Sequence, residues 1–243
     1  MKSESKLDKT KDPPFETREL RRKLQEFLDS EIVDPATGKK VKIGNYKFGV
    51  YAFFDYDGEP IYVGQTNEKL RTRIRRHLTN QRTDAVAMNV LDPFEVYEVE
   101  VWPLTQFEGR ATGDVEAANY LNALEYEVFE TELSRSRFKA VLNEVEPGKP
   151  GKRAQKPKSY RRRIVSEEVF KIRSHPDLRI ARRAATLARL AHVISERRVQ
   201  SGLRKTLLTQ AKRLEWLAER RYEGAADEIE DSEASAAEDE DHL

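Results

Sequence analysis

An α/β (α+β) fold is predicted by three observations. An Asp-Gly turn lies between two β-rich runs, residues 94–102 alternate like a half-buried strand, and apolar residues recur at helical spacing on both sides of that strand. The order they impose is β-β-α-β-α-β, with an amphipathic helix ahead of it and a pair of long helices behind.

Each element has its own local reason. Leu20, Leu24, Phe27 and Leu28 follow the i, i+4, i+7, i+8 spacing of a helix from Glu16 to about Asp29. Asp34-Pro35-Ala36-Thr37-Gly38 is turn chemistry. Phe48–Asp55 and Pro60–Gln65 are strands of a hairpin turning at Asp57-Gly58. Thr66-Asn67-Glu68 is read as the N-cap of a helix whose inner face is Leu70, Ile74 and Leu78. Pro103 stops the strand at 94–102, and a helix runs from about Asp114 to Leu133. The short apolar run Ala140-Val141-Leu142 is expected to be the last strand. Ile180, Ala184, Leu187, Ala191 and Ile194 mark one long helix, and Leu203, Leu207, Ala211, Leu214 and Leu217 mark another. A break at Gly202 makes the two an antiparallel hairpin.

Composition narrows the function classes. Charged residues make up 36% of the 243, against roughly 25% in an average soluble protein. With no cysteine there is no thiolate nucleophile and no thiolate metal site. No apolar run approaches the roughly 18 residues of a membrane span, so no membrane role and a cytoplasmic location are expected. The net charge of +1 divides into +3 for residues 1–48, −8 for 49–147, +16 for 148–222 and −10 for 223–243. A +16 segment is the electrostatic footprint of a nucleic-acid partner. Four regions are expected: an N-terminal arm and helix (1–47), a small α/β unit (48–147), a basic linker and helical hairpin for DNA binding (148–222), and an acidic disordered tail (223–243).

The chemistry gathers on the hairpin. Gly49-Val50-Tyr51 lies on its first strand and Tyr62-Val63-Gly64 on its second. Then come Leu70-x-x-Arg73-x-x-x-His77-Leu78, Ala123-Leu124-Glu125 with Val128-Phe129, and Leu142-Asn143. In order and spacing this series, over roughly residues 48–144, resembles the GIY-YIG nuclease superfamily. The resemblance implies Mg²⁺-dependent hydrolysis of DNA phosphodiesters by one metal ion and a tyrosine-centred site. It also implies that Arg73 answers the charge developing at phosphorus, that Glu125 holds the metal, and that Asn143 closes the pattern.

The residues support that implication independently. A two- or four-residue loop pairs Tyr51 with Gly64 and Phe53 with Tyr62, placing both tyrosines on one face, whereas a three-residue loop separates them. Gly64 is expected to leave space beside the Tyr51 phenol for a phosphate. Arg73 and His77 are four apart and share a helical face, and His77 can accept or relay a proton near neutral pH. Glu125 falls within the inward stripe of its helix, where a carboxylate needs a cation: Mg²⁺ or Mn²⁺, one per site, or Arg73 as a salt-bridge partner. The resemblance in turn implies Tyr51 as the proton acceptor and Tyr62 as a phosphate or nucleophile ligand, with a phosphotyrosine route as an alternative. Asn143 fixes the phosphate or Glu125, or simply caps a strand.

Nucleic-acid contacts are expected from Arg71, Arg75 and Arg76, from Lys152, Arg153, Arg161, Arg162 and Arg163 in the linker, and from Arg182 and Arg183 on the hairpin. The hairpin has a second reading as a dimerisation element. The function expected is a metal-dependent DNA endonuclease of restriction/defence or structure-selective repair, acting on double-stranded or branched DNA without a small-molecule cofactor. A homodimer would match a palindromic site. A ribonuclease on the same scaffold and a non-catalytic DNA-binding protein are the alternatives.

Overall fold

The structure, a computed structural model, describes residues 13–35, 37–79, 92–143, 145–196 and 201–240, with side chains described up to residue 224. The arm expected before residue 13 lies outside them. In chain order the elements are α1 (Phe15–Leu28), β1 (Glu31–Val33), β2 (Lys40–Lys42), β3 (Gly49–Phe54), β4 (Pro60–Thr66) and α2 (Leu70–Leu78). They continue with β5 (Glu98–Pro103), α3 (Val115–Arg135), β6 (Tyr160–Arg163), α4 (Glu167–Arg173), α5 (Pro176–Glu196) and α6 (Ser201–Glu240).

The main sheet is antiparallel in the order β4-β3-β5-β6. Alternation along the buried strand β3 sends successive side chains to opposite layers. Val50, Ala52 and Phe54 pack with Leu121, Leu124 and Val128 of α3. Tyr51 and Phe53 pack with Leu24 and Phe27 of α1 and with Leu70 and Ile74 of α2. Among the described residues, no helix is long and apolar enough to cross a membrane.

The hairpin reaches the expected register by an unexpected route. Asp55 N–H donates to Glu59 O (3.0 Å) and Phe54 pairs with Pro60, so the loop holds three residues, with Gly58 at φ +76°. Alone, that loop would put Tyr51 and Tyr62 on opposite faces. A bulge at Ile61 shifts the pairing by one residue, so Phe53 pairs with Tyr62 and Tyr51 with Gly64.

The sheet departs from the sequence reading on both edges. Ala140–Leu142 is not a strand. Leu142 N–H donates to Ile61 O (3.0 Å), but the next links to β4 come from the Asn143 side chain, so no backbone ladder continues. The fourth strand is β6, from within the segment read as a linker. Its charged sequence hides a strand because its stabilisation is cross-strand pairing: Arg163 opposite Glu98 and Arg161 opposite Glu100. Thr66 does not cap α2. It ends β4, its hydroxyl bonding the Glu68 amide (3.1 Å), and the helix opens after Lys69.

The helical hairpin is formed, with α5 and α6 packed on each other, and it is joined to the sheet through buried charge. Arg179 and Arg183 of α5 and Arg213 of α6 meet Asp55 and Asp57 of the β3–β4 turn and Glu95. Arg183 Nη2 is 2.9 Å from Asp55 Oδ2, and Arg213 also donates to Pro60 O (3.2 Å). The segment from 223 was expected to be disordered, but α6 continues to Glu240. Past Gly224 that stretch holds neither Gly nor Pro and is rich in Ala and Glu, the compositions that cost a helix least.

Candidate active site

The site forms where the far end of β4 meets α2 and α3. Tyr51 is buried, and its hydroxyl is the hub. It lies 2.9 Å from His77 Nε2, accepts from Arg73 Nε–H at 3.4 Å, and has the Tyr62 hydroxyl in hydrogen-bonding reach. The Tyr51 and Tyr62 ring centroids are 6.1 Å apart, and those of Tyr62 and His77 are 5.1 Å apart. His77 is buried and Tyr62 is half-buried, so a chain of polar atoms leads from Tyr62 inward.

Gly64 makes this packing possible. A Cβ there would lie 2.6 Å from Tyr62 Cε1 and 2.8 Å from the Tyr51 hydroxyl oxygen. The space expected for a phosphate is therefore filled by the two tyrosine rings. Gly49 has a parallel role, since its Cβ would sit 3.0 Å from Trp102 O and 3.2 Å from Leu70 Cδ2. Gly64 is a steric requirement, while a side chain at Gly49 would make its neighbours give by a few tenths of an ångström.

Electrostatics fixes the state of the buried phenol. Burial pushes the Tyr51 hydroxyl well above the usual tyrosine range, and the Tyr62 hydroxyl adds to it, against Arg73. Tyr51 therefore stays a neutral phenol at neutral pH.

Glu125 lies on α3 beside a groove of about 1230 Å³ between that helix and the Pro147–Ala154 segment. Burial raises its carboxyl to about 7, while the Gln65 amide and the Arg73 charge favour the ionised form. Arg73 lines a smaller cleft of about 280 Å³. Gln65 and Asn122 line both spaces and hydrogen-bond to each other at 2.7 Å, so this amide pair stands between Glu125 and Arg73. The sequence reading missed both amides, because a Gln and an Asn on otherwise ordinary elements carry no pattern.

A partly buried carboxylate whose charge is poorly answered fits a hard divalent cation. Among the described residues no group of three or more His, Asp or Glu is arranged to hold a metal ion. A cation here would have Glu125 as its protein ligand, with water and substrate oxygens completing the shell. Asn143 serves a different purpose. Its Oδ1 accepts from Val63 N–H (3.0 Å) and its Nδ2–H donates to Val63 O (2.7 Å), so it closes the edge of β4 two residues before Gln65.

The expected nucleic-acid contacts divide. Lys152 and Arg153 line the Glu125 groove and are exposed. Arg162 is exposed and Arg75 is half-buried on α2. Arg183 is a correction: it is 4% exposed and belongs to the buried ion cluster. Arg182 is drawn to Glu16 (3.6 Å) and lies over the Phe94 ring. Arg161 pairs with Glu98 (2.6 Å) over the Phe54 ring, and Arg163 pairs with Glu167 and bonds the Val165 and Ser166 carbonyls. Arg71 pairs with Asp29 (2.9 Å) and Arg76 with Glu68 (2.8 Å). These arginines follow the helical or strand period of surface residues, which cannot tell a solvated face from one covered by a partner element.

Comparison with known proteins agrees with this geometry. The family model of the GIY-YIG catalytic domain matches residues 47–134. Neither a curated protein nor a solved structure matches the chain.

Proposed function

From a GIY-YIG catalytic domain at residues 47–134, the fold of a nuclease, we propose that this protein is a divalent-metal-dependent endonuclease that hydrolyses DNA phosphodiester bonds beside Glu125. The observation that carries the reading is the convergence of Glu125, Arg73 and the Tyr62–Tyr51–His77 chain at one end of β4.

Hydrolysis here is an in-line attack of water on phosphorus, breaking the bond to the 3′ oxygen. Mg²⁺ or Mn²⁺ bound at Glu125 would supply Lewis-acid stabilisation of the leaving oxygen. Arg73 presents a planar guanidinium to the non-bridging phosphate oxygens, where negative charge accumulates. The half-buried Tyr62 hydroxyl is the phenol that can meet the attacking water. Its proton is passed on to Tyr51, whose own proton moves to His77 Nε2, so no free phenolate need persist. Tyr51 thereby acts as a relay that also orients Arg73, in place of the direct base expected from sequence. Lys152 and Arg153 supply positive charge along the groove wall.

The test is cleavage of supercoiled plasmid, branched DNA and structured RNA, each with and without Mg²⁺. Cutting of DNA only with the metal is expected. Plasmid cutting at discrete sites points to restriction or defence, and preference for the branched substrate points to repair. Cleavage confined to RNA would overturn the DNA assignment.

A further inference from the structure

Outside the active site, two guanidiniums converge on one indole. Arg137 Cζ lies 4.7 Å and Arg220 Cζ 4.8 Å from the Trp216 ring centroid, and Phe138 meets the same ring edge-on at 6.0 Å. Arg137 and Arg220 are exposed, and neither has a carboxylate partner among the described residues. Two like charges gathered on one aromatic ring repel each other unless an anion answers them, and stacking on the ring holds each guanidinium flat with donors free at its edge.

Both sides of this patch are pinned. Glu59 accepts from the Ser136 hydroxyl (2.7 Å) and from Arg137 N–H (3.0 Å). Arg213, one helical turn before Trp216, is locked to Asp55 and Pro60. The patch thus sits at the turn end of β4, while the active site sits at the other end. The strand between, Pro60 to Gln65, spans about 17 Å.

We infer that Arg137, Arg220 and Trp216 form a second DNA contact that grips the phosphate backbone of the substrate away from the scissile bond. The inference rests on the DNA endonuclease reading. The partner is a polyanionic backbone because the patch offers two forked cations and a single, already stacked aromatic ring.

Binding of a labelled duplex to the full chain in EDTA, followed by anisotropy across a salt series, tests this without cleavage. The Arg137→Ala/Arg220→Ala variant is expected to bind more weakly, with a plot of log affinity against log salt shallower by about 2. Arg137→Lys/Arg220→Lys should keep most of that slope. The chain has two tryptophans, and Trp102 is buried, so duplex binding should change the emission of Trp216, a change lost in Trp216→Phe. An unchanged slope in the alanine variant, or Trp216 emission indifferent to saturating duplex, overturns the second contact while leaving the nuclease reading intact. Wild-type protein that binds no duplex at low salt overturns both.

Discussion

Tyr51 and Tyr62 are alike in sequence and different in situation. Tyr51 is buried with its hydroxyl bonded to His77, so Tyr51→Phe should lower stability by about 1–3 kcal/mol as well as slow cleavage. Tyr62 is half-buried, and Tyr62→Phe should slow cleavage while changing stability by only about 0.5 kcal/mol. Urea denaturation beside single-turnover kinetics separates the two effects, and equal stability losses would contradict the assigned roles. Gln65 adds a third case. Because its amide favours the charged form of Glu125, Gln65→Ala should raise the Mg²⁺ concentration needed for half-maximal cleavage. An unchanged Mg²⁺ requirement would remove Gln65 from the site. The tyrosines, Arg73, His77 and Glu125 were legible because each stands at a fixed position in a spaced motif. Gln65 and Asn122 were not, since only the folded strand and helix bring their amides together.

At the scale of elements, the β3–β4 hairpin depends on a glycine and a bulge. Gly64→Ala would press a methyl into both tyrosine rings, a misfit expected to cost about 1–3 kcal/mol and to stop cleavage by displacing the Tyr51 hydroxyl. Near-normal melting and activity in that variant would contradict the packing. The register itself was legible from Asp57-Gly58 and the alternation of the two runs. The bulge at Ile61 was not, because nothing in the local sequence distinguishes a bulged apolar residue from a paired one. Strand β6 was illegible for another reason. Tyr160-Arg161-Arg162-Arg163 has no apolar alternation, and what makes it a strand is the row of glutamates on β5 that only the folded sheet presents. Arg183 also read as a DNA-facing surface residue, since a buried ion cluster and a solvated stripe have the same period.

For the whole molecule, the same cluster joins the helical hairpin to the catalytic unit. A chain ending at Pro147 loses β6, Arg179, Arg183 and Arg213, leaving Asp55, Asp57 and Glu95 without their counter-charges. It is expected to melt well below the full chain, and an independently stable fragment would contradict the brace. Arg183→Ala alone should cost about 1–3 kcal/mol, because Glu95 loses its nearest counter-charge while Arg213 and Arg179 still answer Asp55 and Asp57. Acid tests the cluster as well. Burial works against the Asp57 carboxylate, but Arg179, Arg183 and Arg213 outweigh it and hold Asp57 below the usual range. A depressed folded value means that Asp57 stabilises the fold fully above its unfolded value of about 3.9. That contribution fades as pH falls from there through the folded value. Asp57→Asn should therefore flatten the acid limb of the stability curve, and an identical limb would exclude the ion pair. The proposed catalysis, in turn, rests on one carboxylate at the groove. Wild-type and Glu125→Gln proteins, given the same supercoiled plasmid with Mg²⁺, should differ completely in cutting while binding the plasmid and melting alike. Cleavage by Glu125→Gln at the wild-type rate would contradict a metal-dependent site at Glu125.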